Sequence, residues 1–201
     1  MTIKDLIARI INLYNINIIN IRNFANLKEI KIGSNNTYEQ KVYCTGKGSI
    51  EIGKNIHFGC KLGGHWKGEI ELQARSDQSR IVLKNNIATN NNLFICSNEY
   101  IEIGKNCLIG RDCEFIDFDG HGIEPDKRRG TSGIQEKIII GDNVWFGNGC
   151  KILRGTVIGK NCVVAAGAVV KGTFIENCLI GGVPAKVIRK IGQKDLKSGK
   201  Q

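Results

Sequence analysis

From Ile140 onward an apolar residue returns every six positions, at Ile140, Phe146, Ile152, Ile158, Val164 and Val170. Glycine follows directly at Gly141, Gly147 and Gly159, and a compact residue stands four places after each apolar one, at Val144, Cys150, Thr156, Cys162 and Ala168. A period of six matches neither a helix nor an isolated strand, so tertiary structure must impose it. The pattern predicts a coil with three flat sides, one hexad to a side, each coil stacked on the next as parallel strands. The apolar residue points into the prism, and the glycine permits a tight corner. The same register is read at Ile52 and Phe58, at Leu83, Thr89 and Ile95, and at Ile103, Ile109 and Phe115. Stacking lets successive coils share one continuous core. Spacing alone leaves the hand open, since parallel crossovers are ordinarily right-handed.

Two stretches interrupt the register. Residues 61–82, with Gly63, Gly64, Gly68 and a polar run from Arg75 to Arg80, predict distorted coils. Asn90, Asn91 and Asn92 read either as a corner or as inward stacks between coils. The largest break falls between Phe115 and Ile140. Its residues 121–136 carry Pro125, Gly130, Gly133 and the basic run Lys127-Arg128-Arg129, with no hexad pattern. A long irregular loop in a tight solenoid points to function.

At the N-terminus Ile3, Leu6, Ile7, Ile10, Leu13 and Tyr14 follow helical spacing, which predicts a helix covering an end or flank of the prism. With Lys4 and Arg9, residues 3–14 also suit a weak association with a membrane surface. The expected organisation is a helical segment over 1–25, the repeat over 26–183 with its loop at 121–136, and a basic tail over 184–201.

With 201 residues the chain is long enough for one domain, and 6% aromatic content suits a thin prism filled by Ile, Val and small residues. A formal charge of +10 points to an anionic partner. Much of it sits in Lys186, Arg189, Lys190, Lys194, Lys197 and Lys200, without the interleaved aromatics that single-stranded nucleic acid favours, so nucleic acid is not expected. Eight cysteines form no C-x-x-C pair, and no histidine pair has zinc-finger spacing. Cys107, Cys113, Cys150 and Cys162 occupy the compact fifth place of a hexad, where a thiol packs as a small hydrophobe. Structural thiols, no metal and a reducing cytoplasm are the expectation. No secretory signal is visible, and no stretch is apolar enough to span a bilayer.

Four segments resemble one family. Val144-Trp145-Phe146-Gly147 is similar to its Val-Trp-Ile-Gly motif, and Val164-Ala165-Ala166-Gly167-Ala168-Val169-Val170 to the coil before its cofactor loop. Gly182-Val183-Pro184-Ala185-Lys186-Val187-Ile188-Arg189 resembles its Gly-x-Pro-Ala-Lys-Val-Ile-Arg ending. Asp119-Gly120-His121 resembles the Asp-x-His of its active site, at a matching distance from Trp145. The chain is thereby identified, over residues 83–190, with the hexapeptide-repeat acyltransferases, and within them with the sugar and surface-polysaccharide O-acetyltransferases.

That resemblance implies an all-β, left-handed parallel β-helix, assembled as a homotrimer with active sites between subunits. Acetyl-CoA would be the co-substrate and a saccharide hydroxyl the acceptor. His121 would be the general base, since the attacking hydroxyl must lose a proton and histidine titrates near working pH. Asp119 is a candidate to orient it. Trp145, Asn148, Ala166, Lys171, Lys186 and Arg189 fall at cofactor-binding positions, the basic ones suited to phosphate. Lys171 stands where the family often has Thr and Gly172 where it often has Lys, so the nucleotide-side lysine is shifted by one. Asn90 and Asn98 fall near acceptor-binding positions. His57 and His65 have no such support.

Three other functions fit the same coil. An N-acetyltransferase of nucleotide-linked amino sugars is the enzymatic alternative, although many of that kind carry a Gly-rich dinucleotide-type domain of which this sequence shows none. A zinc carbonic anhydrase needs three convergent histidines, which His57, His65 and His121 do not suggest. A non-enzymatic solenoid binding module would have no use for Asp119-Gly120-His121 on an extruded loop.

Overall fold

The computed structural model describes residues 19–20, 26–60, 68–130 and 133–192. The expected N-terminal helix lies outside them, apart from Ile19–Asn20, which pair as a strand with Lys41–Gly46. The described chain winds as a three-sided prism of parallel strands. One face, A, stacks Ile19–Asn20, Lys41–Gly46, Glu69–Ala74, Phe94–Ser97, Glu114–Ile116, Lys151–Leu153 and Val169–Val170. Face B stacks Glu29–Ile32, Ser49–Ile52, Arg80–Leu83, Tyr100–Ile103, Ile138–Ile140, Val157–Ile158 and Thr173–Phe174. Face C stacks Thr37–Tyr38, His57–Phe58, Ala88–Thr89, Leu108–Ile109, Trp145–Phe146, Val163–Val164 and Cys178–Gly182. Ala185–Lys190 then turns back antiparallel against Cys178–Gly182, so the start of the basic tail is itself a strand.

Each predicted hexad start is a core residue. Ile140, Ile152, Ile158, Val164 and Val170 are buried, and Phe115 meets Phe146 edge to face at 5.2 Å. Cys107, Cys113, Cys150 and Cys162 are buried at the fifth place. None of the eight cysteines is in a disulfide. Residues 61–67 of the stretch expected to be distorted lie outside the described residues; within the rest, Ile70, Leu72 and Ala74 make Glu69–Ala74 a regular strand. Glu69, Glu71 and Gln73 point outward between them, a plain polar/apolar alternation.

The B-to-C corners are built by two residue types. Glycine allows coils to approach: a Cβ on Gly141 would lie 2.7 Å from the backbone nitrogen of Lys160. The left-handed backbone itself is taken by asparagine, at Asn35, Asn55, Asn86, Asn106, Asn143, Asn161 and Asn177, with φ between 56° and 61°. Asparagine tolerates this region better than other residues with a Cβ. Its amide also bonds along the prism: Asn55 Nδ2 donates to Asn86 Oδ1 (3.0 Å), and Asn143 Nδ2 to Asn161 Oδ1 (2.9 Å). Asn92 takes the left-handed place at a C-to-A corner, whereas Asn91 is buried and bonds both Cys60 N and Cys60 O.

Candidate active site

The interruption after Glu114–Ile116 leaves the prism at an A-to-B corner and returns at Ile138. Its root is a short antiparallel ladder. Asp119 N–H donates to Ile134 O (2.8 Å) and Glu136 N–H to Asp117 O (2.9 Å). Gly133 fits because a Cβ there would stand 2.4 Å from Asp119 Cβ and 2.6 Å from His121 O.

Two buried charged residues anchor this root, and hexad reading passed over both. Asp117, fully buried, accepts from Ser97 Oγ (2.7 Å) and from the backbone N–H groups of Asn98 (2.6 Å), Glu99 (3.0 Å) and Tyr100 (2.8 Å). It closes the corner of the preceding coil. Arg154, 8% exposed, donates through Nε to Asp119 Oδ2 (2.7 Å) and through Nη1 to Glu136 Oε2. One guanidinium thus ties the outgoing limb of the loop to the returning one. Desolvation pulls the Arg154 pKa down, but Asp119 and Glu136 outweigh it, so the net shift is upward. The sequence signal for both residues is their place: each directly follows a face A strand, in adjacent stacked coils (Ile116 pairs Leu153).

Above this root His121 is exposed. It lines a cavity of about 320 Å³ with Asp119, Ile123, Glu124, Lys127 and Ile134. Asp119 therefore serves Arg154, and among the described residues no hydrogen bond to the His121 ring is found. Asn98 sits beside the loop, where its Nδ2 donates to Gln135 Oε1 (2.7 Å). Lys171 is exposed and shares a second cavity, about 490 Å³ on face A, with Asp119, Gly120 and Arg154.

The remaining predicted residues gather elsewhere. Asn90, Trp145 and Asn148 line an open groove of about 280 Å³ with Leu108. Asn148 Oδ1 accepts from Arg111 N–H (3.0 Å), and its carbonyl accepts from Gly167 N–H (2.8 Å), which puts Ala166 on the next coil beside it. Outward residues of face C form one row in register, Ala88, Leu108, Trp145, Val163, Leu179 and Arg189. Trp145 and Arg189 are three strand spacings apart on that row, roughly 14 Å. Lys186 is on the same returning strand. One chain thus divides its candidate residues between the A-to-B corner, with His121, Asp119, Asn98 and Lys171, and face C with the edge it shares with face A.

No group of three or more potential metal ligands is found among the described residues, and no helix among them is long and apolar enough to cross a membrane. His57 lies on face C with its Nδ1 2.6 Å from Thr37 Oγ1. His65 lies outside the described residues.

A coil of stacked hexads is the feature that names the hexapeptide-repeat transferases. The family model for bacterial transferase hexapeptide (six repeats) matches residues 137–172, and that for the hexapeptide repeat of succinyl-transferase matches 100–124. An Escherichia coli protein named as the lipopolysaccharide biosynthesis O-acetyl transferase WbbJ is 34% identical over 160 residues, covering 74% of this chain and 75% of that protein. A Saccharomyces cerevisiae protein named as an acetyltransferase is 41% identical over 117 residues, covering 58% of this chain but 59% of its own length. A galactoside acetyltransferase solved in complex with coenzyme A superposes with a TM-score of 0.58 at 25% identity, over 86% of this chain and 70% of that one. The chain belongs to the hexapeptide-repeat acetyltransferases and has their left-handed parallel β-helix.

Proposed function

We propose that this protein transfers an acetyl group from acetyl-CoA to a hydroxyl of a saccharide, with His121 as general base. The observation that carries the reading is the Arg154 brace. It ties both limbs of an extruded loop to the prism and leaves, just above the root, an exposed imidazole with no hydrogen-bond partner among the described residues. A positioned, solvent-accessible base is what deprotonation of a sugar hydroxyl requires. Asp119 then acts through the loop root rather than on the imidazole. The name of WbbJ favours oxygen over nitrogen as the acceptor atom and a surface polysaccharide or its precursor as the substrate class, and an Escherichia coli relative named galactoside O-acetyltransferase, 34% identical over 117 residues, agrees on the oxygen.

The division of residues favours a site shared between copies. His121 stands at one corner, while Trp145, Asn148 and Ala166 stand on another face and edge. Leu108 and Trp145 leave 52% and 54% of their surface exposed, and on the loop Ile123 and Ile134 leave 67% and 56%. A homotrimer that packs the loop of one copy against face C of the next covers both apolar sets and brings His121 to the cofactor row. Acetyl-CoA lies along that row with its thioester near Trp145 and its phosphates toward Lys186 and Arg189. Lys171 reaches the same cofactor from the neighbouring copy. Seven buried thiols accord with residence in the cytoplasm. The N-terminal segment 3–14 remains the candidate for any membrane-surface contact.

Release of coenzyme A thiol, followed in the presence of a panel of saccharides with product identified by mass, tests the reading. Saccharide-dependent release giving an O-acetyl ester is expected. Hydrolysis of acetyl-CoA at a rate independent of every saccharide would overturn it.

A further inference from the structure

Apart from Lys171 at one end, the cavity of about 490 Å³ on face A is not accounted for by the base or by the cofactor row. It runs along the prism axis, because its lining comes from five successive strands or their ends, from Gln73 and Arg75 to Lys171. Its floor is apolar, with Phe94, Ile116 and Leu153 facing outward, and Phe118 forms one wall. At one end the Arg75 guanidinium lies 5.3 Å from the centroid of the Phe118 ring, which holds it over an aromatic face. Gly120, next to His121, belongs to the same wall.

The cations of this cavity are not equivalent. Arg154 is neutralised by Asp119 and Glu136. Arg75 has no ion-pair partner among the described residues, and the nearby Glu71 is turned to Thr45 and Gln73. Lys171 stands four strand spacings from Arg75, roughly 19 Å, toward the C-terminal coils where Lys186 and Arg189 lie. The two cations therefore cannot jointly grip one phosphate. Arg75, with the Phe118 ring and the Cys96 thiol as its neighbours, is left as a guanidinium without a carboxylate partner among the described residues, at the end of an apolar trough remote from the nucleotide end. An apolar trough with a few placed polar groups is the usual design of a small-molecule site. The planar fork of arginine matches a carboxylate.

We propose that this trough selects acceptors carrying a carboxylate, an acidic sugar residue, whose carboxylate Arg75 binds while the ring lies on Phe94 and Ile116. The proposal rests on the acetyl-transfer reading above and narrows its substrate class.

The test uses the full-length protein with four acceptors: the methyl glycosides of glucose and galactose, and those of glucuronic and galacturonic acid. In the wild type kcat/KM is expected to be at least about 10-fold higher for each acidic glycoside than for its neutral parent. Arg75→Ala is expected to lower kcat/KM for the acidic pair by about 10- to 100-fold, leaving the neutral pair and the acetyl-CoA Kd unchanged. Arg75→Lys should recover part of the loss. Equal use of both pairs by the wild type would overturn the proposal. A rise in the acetyl-CoA Kd of Arg75→Ala would also overturn it and make the guanidinium a cofactor phosphate ligand. If none of the four glycosides is acetylated, the acetyl-transfer reading fails on these acceptors, and saturation-transfer NMR then tests the trough by itself. Binding of the acidic glycosides that disappears in Arg75→Ala would support it, and no binding to the wild type would refute it.

Discussion

Arg154 Nε lies 2.7 Å from Asp119 Oδ2, and the same guanidinium reaches Glu136 across the returning limb of the loop. The relationship changes the part played by Asp119. Placed two residues before His121, it reads as the partner of the imidazole. It instead holds the loop root to the prism through a residue from the next coil. The distance from Asp119 to His121 along the chain is short, but hydrogen bonding is decided in space.

Replacing Arg154 with Ala should loosen the loop while sparing the coils. The lost charge-assisted bonds are worth about 1.5–3 kcal/mol. The two carboxylates left behind are 34% and 46% exposed and so can hydrate. Far-UV circular dichroism should match the wild type, cleavage within residues 121–136 by limited proteolysis should speed up, and turnover should fall. Unchanged proteolysis in that loop would show that Arg154 does not brace it.

His121→Ala should leave the fold and assembly intact, because the side chain is exposed and lies outside the hexad ladder. Affinity for acetyl-CoA, measured by calorimetry, should stay near that of the wild type. Turnover should fall by about 10²- to 10⁴-fold, the usual loss on removing a positioned general base. Near-normal turnover with saturating acetyl-CoA and an accepted saccharide would remove His121 from the mechanism.

Asp117→Ala should be a stability variant. It strands one hydroxyl and three backbone N–H donors at a corner between coils. A cost of at least about 3 kcal/mol is expected, which lowers Tm by about 6–12 °C for a chain of this size. Asp117→Asn keeps the volume but turns an NH₂ group toward donors, so it should recover only part of the loss. A Tm within about 2 °C of the wild type for Asp117→Ala would contradict this reading.

Leu108→Glu tests the shared site. The residue faces outward beside Trp145, so the change should leave each prism folded while placing a charge where a second copy is expected to pack. Sedimentation equilibrium should show trimer for the wild type and monomer for the variant, with activity lost in parallel. A wild type that is monomeric at micromolar concentration would refute the shared site outright.

Buried thiols set an alkaline limit to stability. Desolvation raises Cys44 to about 12 and, against smaller hydrogen-bond effects, Cys107 to about 11. Unfolded thiols titrate near 8.5. Above that pH the unfolded chain binds fewer protons than the folded one, so stability must fall as pH rises. The contribution is complete below about pH 8.5 and lost progressively up to about pH 11–12. Tm should therefore decline through this window, and Cys107→Ala, which removes one of the titrating thiols, should make the decline shallower. A thiol reagent at pH 8 should modify Cys60 first and the seven buried cysteines only on unfolding.

The period of six, the glycine after the apolar residue and the compact fifth place sufficed to locate the core, because each position has the same neighbours in the coil above and below. Glu69–Ala74 alternates polar and apolar residues as a strand should, and is obscured by its place between a glycine cluster and the polar run from Arg75 to Arg80. The asparagine ladder was present at Asn106, Asn143 and Asn161, each two residues after a glycine, but left-handed φ values are invisible until the corner is drawn. His121 stood out by motif and loop, and Trp145, Ala166 and Arg189 by resemblance.

The sequence by itself determined a repeating coil and where it is interrupted, since a strict hexad can bury its apolar positions in one way only. Tertiary structure alone decided what stands across from what. Asp117 joins residues 97–100, Arg154 joins 119 to 136, and Arg75 rests on Phe118, all contacts between coils. Such contacts depend on how many residues each insertion adds before the register resumes, a three-dimensional offset that no linear pattern encodes.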